Sequence, residues 1–303
     1  MNLLPAETNL DIIKCLNFNQ LNNIQQSNRH FCALINKYKN ELAIKVCDSI
    51  ELVVYKNYVC KQVEQEPGAL EFNLSEELKL KWKAAIKEKT PMYFYDYNYL
   101  RHVKFEDEIE KYKMNEIANL FLISEETYGT APKILRLQIQ RYPETIEEML
   151  IYRYWLERLS HCFFENITAE HTVLNARMID LLFDGSPPLK FQTKYFHFYR
   201  DDFFNSHNKY EYMYHHVVVH GSKGIYYEDH RYKLRGEMKK DEERFYQPPD
   251  VGEGIEQPVF CRVVDYEFFG VDKPERHLMM YLCFRIGSKK FMSSEHDWIN
   301  LVL

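Results

Sequence analysis

The segment TIEEMLIYRYWLERL, residues 145–159, carries the clearest local signal in this 303-residue chain. Thr145 and Glu148 form the T-x-x-E pattern of a capping box, in which two side chains satisfy free backbone N–H groups at the start of a helix. Behind them, apolar residues recur at helical spacing as Met149, Tyr152, Trp155 and Leu156. We therefore predict a helix that begins after Thr145 and runs to about residue 165.

Strand and helix signals alternate beyond this helix. Residues 171–174 and 189–199 have strand character, and residues 176–183 between them favour a helix. Further strand-like stretches occupy residues 210–220, 225–234, 259–269 and 278–286, and the polar run 236–244 is expected to be a connection. The predicted fold class is α+β, with a mixed helix and strand C-terminal region in which residues 144–199 also fit a degenerate solenoid unit.

The residues before this region are predicted to mix the same two elements. A strand is expected within 46–60, because β-branched and aromatic residues dominate that run. Ser75 is in position to cap a helix over 75–89, and another helix is expected over 105–123.

The N-terminal segment shows three short helical patterns. Apolar residues lie three or four apart as Leu10, Ile13 and Leu16, then as Leu21 and Ile24, and finally as Phe31, Leu34, Ile35 and Tyr38. Helices this short bury little surface among themselves. The segment is therefore expected to pack on the rest of the chain or on another protein.

The same segment resembles the F-box over about 45 residues. The resemblance rests on Leu4-Pro5-x-Glu7, Ile12-Ile13-x-x-Leu16, Leu21-x-x-Ile24 and Asn28-Arg29-x-Phe31-x-x-Leu34-Ile35. It implies binding to the Skp adaptor of a cullin-RING (SCF-type) ubiquitin ligase. The implied adaptor-binding residues are Leu4, Pro5, Ile12, Ile13, Leu16, Leu21, Ile24 and Phe31, with Leu34 and Ile35 partly internal. Many F-boxes have Trp where this chain has Phe31, a departure that would reduce affinity.

The resemblance implies a division of labour along the chain. Residues 1–45 would bind the adaptor, residues 46–143 would connect, and residues 144–303 would hold an unknown protein substrate. Parts of residues 70–100 and 152–159 also resemble lineage-expanded F-box proteins with a private C-terminal region. The expected function is thus substrate recruitment for ubiquitin transfer, without chemistry of its own. The alternatives are an F-box-like scaffold outside a ligase and an enzyme with its site in the C-terminal region.

Composition disfavours other classes of partner. A net charge of -6 gives no basic field for nucleic acid or an anionic membrane surface. The sequence contains no run of about 18 apolar residues, so no membrane span is predicted. The seven cysteines are an odd set without C-x-x-C spacing, which fits reduced thiols. A cytoplasmic or nuclear protein is expected.

The sequence gives only weak signals for a catalytic or metal-binding site. His215, His216 and His220, with Glu211 and Asp229 nearby, form the most metal-like group. The three valines between the histidines favour a strand, which would hold His216 and His220 about 13 Å apart. We therefore expect no metal and no cofactor. Tyr and Phe cluster at 93–99, 195–204 and 210–214, and a substrate surface would be sought there first.

Overall fold

The fold is described over the residues that the computed structural model places. They are 5–16, 18–38, 42, 44–53, 61–62, 70–95, 117–124, 133–169, 171–184, 186–199, 206–228, 233–246, 259–273, 275–286 and 291–300.

Three short helices begin the described chain: α1 (Ala6–Lys14), α2 (Phe18–Ser27) and α3 (Arg29–Lys37). Pro5, whose fixed φ suits entry into a helix, is the N-cap residue of α1. The Asn28 side chain caps α3 by accepting a hydrogen bond from the N–H of His30. The helical spacing in this segment thus corresponds to helices, while the match to an F-box stays a prediction.

The described strands mostly belong to one large mixed sheet. They are β1 (Lys45–Val53), β2 (Lys61–Gln62), β3 (Tyr93–Tyr95), β4 (Ile117–Ser124), β5 (Lys133–Gln140), β6 (Cys162–Ala169), β7 (Thr172–Leu174), β8 (Phe191–Tyr199), β9 (Val217–Val219), β10 (Ile225–Glu228), β11 (Lys233–Tyr246), β12 (Val259–Gly270), β13 (Arg276–Phe284) and β14 (Phe291–Asn300). The 12-stranded sheet has the order β14-β13-β12-β11-β10-β8-β6-β1-β4-β5-β2, and β9 also pairs with β8. Strands β3 and β7 pair separately.

The centre of the sheet is parallel and its flanks are antiparallel, apart from the two-residue edge strand β2, which is parallel to β5. Strand β6 lies between β1 and β8, parallel to both, and β10 is parallel to β8. Strands β4 and β5 form an antiparallel hairpin beside β1, while β11 to β14 form an antiparallel meander on the other side. The stretch that suggested a solenoid thus supplies parallel strands to a continuous sheet whose flanks are hairpins. The sheet also joins strands from both sides of the predicted boundary at residue 143.

Helices pack on the parallel centre of this sheet. They are α4 (Glu76–Lys87), α5 (Ile146–Ser160), α6 (Ala176–Leu182) and α7 (Ser206–His216). One apolar core unites them with the strands, and Trp82, Met149, Phe164, Ile179 and Phe196 are fully buried in it. No helix in the described residues is long and apolar enough to cross a membrane. The expected mixture of helices and strands is confirmed.

The predicted helix starts at Ser75 and Thr145 are confirmed. The Ser75 and Thr145 side chains each accept a hydrogen bond, at 3.2 Å, from the backbone N–H three residues later. Helix α5 ends at Ser160, before the expected residue 165, because the residues from Cys162 onward pair with β1 and β8 as strand β6.

Three predictions of element type are wrong. Residues 117–123, expected to end a helix, form β4, because their apolar run is paired on both edges by β1 and β5. Residues 210–216, expected to be strand, belong to α7, which buries Tyr210, Tyr212 and Met213 in the core; only the valines 217–219 are strand. The polar run 236–244 is not a connection but part of β11, whose charged side chains alternate between the two faces of the sheet.

Helix α6 is anchored at its start by Asn175. The Asn175 side chain accepts a hydrogen bond from the Arg177 N–H at 3.1 Å and donates one to the Pro91 carbonyl at 2.7 Å. The Asn175 backbone N–H also donates to the Met92 carbonyl at 2.9 Å. One buried side chain therefore caps α6 and ties it to the residues that lead into β3.

The end of α6 is bound by side chains of two other helices. The indole N–H of Trp82, from α4, donates to the Leu181 carbonyl at 3.1 Å, and the guanidinium of Arg153, from α5, donates to the Leu182 carbonyl. The last carbonyl groups of a helix lack a partner within its regular hydrogen-bond pattern. The Trp82 bond supplements the one that the Leu181 carbonyl accepts from the Asp184 N–H at 3.4 Å, and Arg153 gives the Leu182 carbonyl a side-chain donor. The helix layer is thus fixed by polar contacts as well as by apolar packing.

Replacing Asn175 with Ala is expected to lower the free energy of unfolding by about 2–3 kcal/mol, because the helix loses its cap and the Pro91 carbonyl loses its donor. Ser75→Ala, which removes an exposed cap, is expected to cost only about 1 kcal/mol. Urea denaturation of both variants measures the difference. Equal losses would contradict the bridging role of Asn175.

Candidate functional site

The structure separates the implied adaptor-binding residues into interior and surface positions. Ile13, Leu21 and Phe31 are buried, with 0%, 4% and 5% of their surface exposed, and pack in one cluster with Leu34 and Ile35. These three hold the helices together in this structure and have little surface left for a partner.

Other members of the set keep surface available. Pro5 is exposed, and Ile12, Leu16 and Ile24 are half-buried. Leu16 and Ile24 pack partly on the helical cluster, whereas Ile12 is not among the residues packed on it. Leu4 lies outside the described residues. Pro5 and Ile12 are therefore the positions from which adaptor contact is tested most cleanly.

The three N-terminal helices have a core of their own. Their buried cluster, which extends to Leu42, is separate from the main core, whose buried members begin at Cys47. Within the described residues, α1, α2 and α3 make at most marginal contact with the sheet and the later helices. Little of the described part of the chain therefore covers this unit.

A second candidate site lies where the large sheet splits. Strand β9 pairs with β8 at Phe191–Thr193, and β10 pairs with the same edge of β8 at Phe196–Tyr199. Strand β11 pairs with β10 only as far as Gly236 and continues past its start toward β9. No pairing joins β9 to β11 in the part of the chain that the structure describes. The opening between them is called the β9–β11 cleft.

A turn at residues 220–224 interrupts the edge that pairs with β8. A Cβ atom on Gly221 or Gly224 would lie 2.6 or 2.5 Å from the carbonyl oxygen of Lys194, so only glycine fits at either position. Lys223 has a φ of 49°, in the left-handed region. Its carbonyl accepts a hydrogen bond from Arg235 Nε at 2.6 Å, which fixes the turn to the start of β11.

The β9–β11 cleft has a volume of about 690 Å³, within the range of ligand-binding pockets. One wall is formed by the end of α7 and by β9, including Tyr214 and Val218, and the other by β11, including Met238. Tyr266 and Phe284 contribute from β12 and β13. A bulge between Met238 and Lys240 breaks the register of β11 with β12 beside the opening.

A polar network crosses the cleft from α7 to β12. The Tyr214 hydroxyl donates to the carboxylate of Asp241, 3.1 Å from the nearer oxygen. Arg262 binds the same carboxylate through Nε at 2.6 Å and Nη2 at 2.9 Å, a bidentate pair. The Tyr214 ring stacks on Phe284 with centroids 4.5 Å apart. Burial, reinforced by Asp241, raises the pKa of Tyr214 to about 12, so its hydroxyl stays a donor at neutral pH.

Some charged side chains of the cleft form ion pairs with described residues, and others do not. Asp241 is paired with Arg262, and Glu237 is paired with Lys239 at 2.7 Å. Arg285, exposed at the rim, makes no ion pair with any described residue. Tyr266 is only 3% exposed, and its hydroxyl has no hydrogen-bond partner in the described part of the chain. Burial raises the pKa of Tyr266, so this hydroxyl remains protonated and available as a donor.

The histidines that suggested a metal are not grouped around one point. His216 is fully buried, and its two ring nitrogens lie 3.0 Å from the Leu189 carbonyl and 3.1 Å from the Ala176 carbonyl. His220 is exposed and contacts Gln192, while His215 packs against Phe284. The described residues contain no cluster of metal-binding side chains, and Asp229 lies outside them. His216 serves instead to join α6, the start of β8 and the end of α7.

Sequence reasoning found one wall of the cleft and missed the other. Tyr214 belongs to an aromatic cluster singled out as a possible binding surface, although Tyr210 and Tyr212 of that cluster lie in the core. Asp241 and Met238 of the other wall lie in the polar run 236–244, which was predicted to be a connection. Residues 236–244 read GEMKKDEER, without a period-two alternation of apolar and polar residues, so no local pattern identified this run as a strand.

A family model described as a domain of unknown function, DUF8381, matches residues 63–228, more than half of the chain. The chain belongs to this family. The match runs to the last residue of β10 and includes β9 but not β11, so the cleft is bounded on one side by the DUF8381 domain and on the other by the residues after it. The N-terminal helices precede the matched range. No curated protein and no solved structure matches the chain significantly.

Gly224→Ala is expected to destabilise the protein by about 2–4 kcal/mol and to displace β10 from β8, because the added methyl group meets the Lys194 carbonyl and the Val219 side chain. Thermal unfolding and backbone amide exchange of β10 measure the two effects. Ser222→Ala, an exposed substitution in the same turn, is the control and should change stability by less than about 0.5 kcal/mol. A stable Gly224→Ala variant with unchanged exchange would contradict the close approach.

Proposed function

We propose that this chain is a substrate-recruiting subunit of an SCF-type ubiquitin ligase, whose N-terminal helices bind the Skp adaptor and whose large sheet binds a target protein. The observation that carries the proposal is the separation of the helical unit from the main core, with apolar side chains left at its surface. The resemblance of residues 1–45 to an F-box supports the same assignment. Cullin would join through the adaptor.

The physical argument concerns the size of the helical unit. The six buried residues that the structure describes in this unit contribute little stability on their own, and units this small commonly depend on a partner. Half-buried Ile12, Leu16 and Ile24 provide apolar anchors of the kind used when helices dock into a groove. An adaptor that covered these side chains would stabilise the unit as well as bind it.

Neither alternative function gains a specific observation. The histidines that made an enzyme conceivable contact carbonyl groups, an amide and a ring in the described structure. A scaffold outside a ligase would use the same adaptor surface and differs only in the absence of cullin. Recruitment to a complete ligase is therefore the function that we adopt.

Ile12→Asp is expected to weaken binding to purified Skp adaptor at least about 30-fold, because the contact loses about 2 kcal/mol of apolar burial and gains a charge that must be desolvated. Ile12 is the preferred position because it is not packed on the helical cluster, so its replacement should leave the helices folded. Calorimetric titration of the full chain with the adaptor measures the affinity, and helix content is checked by circular dichroism.

Leu80→Asp is the matched control, because Leu80 is 66% exposed on α4, outside the helical unit, and undergoes a comparable apolar-to-acid change. It should bind the adaptor like the wild type. Absence of wild-type binding, or equal binding by a folded Ile12→Asp variant, would overturn the proposal. Addition of cullin to the wild-type complex should give a ternary complex, and failure to do so would favour the scaffold.

A further inference from the structure

The β9–β11 cleft is bordered by two strand edges that lack strand partners. Among the described residues, β9 pairs only with β8, and β11 beyond Gly236 pairs only with β12. Each strand therefore has a second edge, facing the opening, that no described strand covers. A strand has hydrogen-bonding groups on both edges, so the cleft presents main-chain donors and acceptors from two sides.

The interior of the cleft suits one large apolar or aromatic side chain with a polar neighbour. The half-buried Tyr214 ring stacks on Phe284, which is itself buried, and Met238 and Val218 add apolar surface from the opposing walls. Tyr266 lines the cleft and has no hydrogen-bond partner among the described residues, so its hydroxyl can donate to an incoming carbonyl or carboxylate.

The charge of Arg285 at the rim, which no described residue pairs, favours an acidic partner. Two of the lining acids, Asp241 and Glu237, are neutralised by ion pairs. Arg285 has no ion pair with a described residue, and Lys190 adds a second positive charge to the lining. Glu243 is an opposing lining acid, and it lies close enough to Arg262 to raise the pKa of that guanidinium. A carboxylate beside Arg285 would therefore gain a partner without breaking an existing pair.

We propose that the β9–β11 cleft binds an extended segment of a partner polypeptide as an added strand, with an aromatic side chain between Tyr214 and Tyr266 and an acidic side chain at Arg285. In an extended segment, side chains two positions apart lie on the same face, so an acid two residues from the aromatic residue reaches the same side. The inference rests on the proposed function in taking the partner to be the recruited target.

The test uses the full-length chain and labelled peptides of defined sequence. The probe is acetyl-TETFTET-amide, in which Phe and both Glu share one face, and its relatives are TKTFTKT, TETSTET and TETFTET N-methylated at the Thr amides. Fluorescence polarisation should show that each relative binds at least about tenfold more weakly than TETFTET, because each loses one of the three kinds of contact.

Variants of residues that line the cleft test separately how the opening, the charge and the hydroxyl contribute to peptide binding. Val218→Arg, which fills the opening from β9, should weaken TETFTET at least tenfold, while Val46→Arg, the same change at a 58% exposed position of β1, should not. Arg285→Glu should reverse the preference between TETFTET and TKTFTKT. Tyr266→Phe keeps the ring and should weaken binding several-fold without loss of stability.

The peptide and adaptor measurements distinguish this inference from the proposed function. Ile12→Asp should leave peptide binding unchanged, and Val218→Arg should leave adaptor binding unchanged. Peptide binding without adaptor binding would uphold the cleft and reject the ligase subunit. No binding of TETFTET at about 1 mM, or equal binding by wild type and a folded Val218→Arg variant, would overturn the inference about the cleft.

Discussion

The architecture depends on how one edge of strand β8 is shared by two partners. Strand β9 pairs with the start of β8 and β10 with its end, and the five residues between them turn away at the Lys194 carbonyl. Close approach of Gly221 and Gly224 to that carbonyl keeps the interruption compact. The geometry of the split therefore depends on the absence of a side chain at these two glycines.

The sheet is supported by packing on both sides of the β9–β11 cleft. Helices α4 to α7 cover the parallel strands, and side chains from α4 and α5 satisfy the last carbonyls of α6. On the far side of the cleft, the β11–β14 meander brings its own apolar face, with Phe268, Leu278 and Met280 buried in the same core. The two sides are thus held by this packing and by the hydrogen bonds of Asp241 with Tyr214 and Arg262, so an occupant would not need to hold the sheet together.

Local chemistry was readable from the sequence, and long-range pairing was not. Ser75 and Thr145 predicted the starts of two helices, because a cap and an apolar stripe are encoded within a few residues. The strand β4 looked helical, since a short apolar run has no decisive period, and its identity comes from partners distant in the chain. The polar strand β11 was missed for the same reason. The β11 wall of the cleft could therefore not be predicted from the sequence, because tertiary pairing determines the neighbours of its residues.

The position of the family match assigns different roles to the two walls of the cleft. The DUF8381 range ends at Glu228, so Tyr214, Val218 and the glycine turn belong to the matched domain, whereas Asp241, Arg262, Tyr266 and Arg285 follow it. The matched part supplies the open edge of β9, whose hydrogen bonds do not depend on ligand sequence. The unmatched part supplies most of the charged and hydroxyl groups. If the cleft binds a strand as we propose, changes confined to residues 237–285 alter the preferred side chains without disturbing the split between β9 and β10.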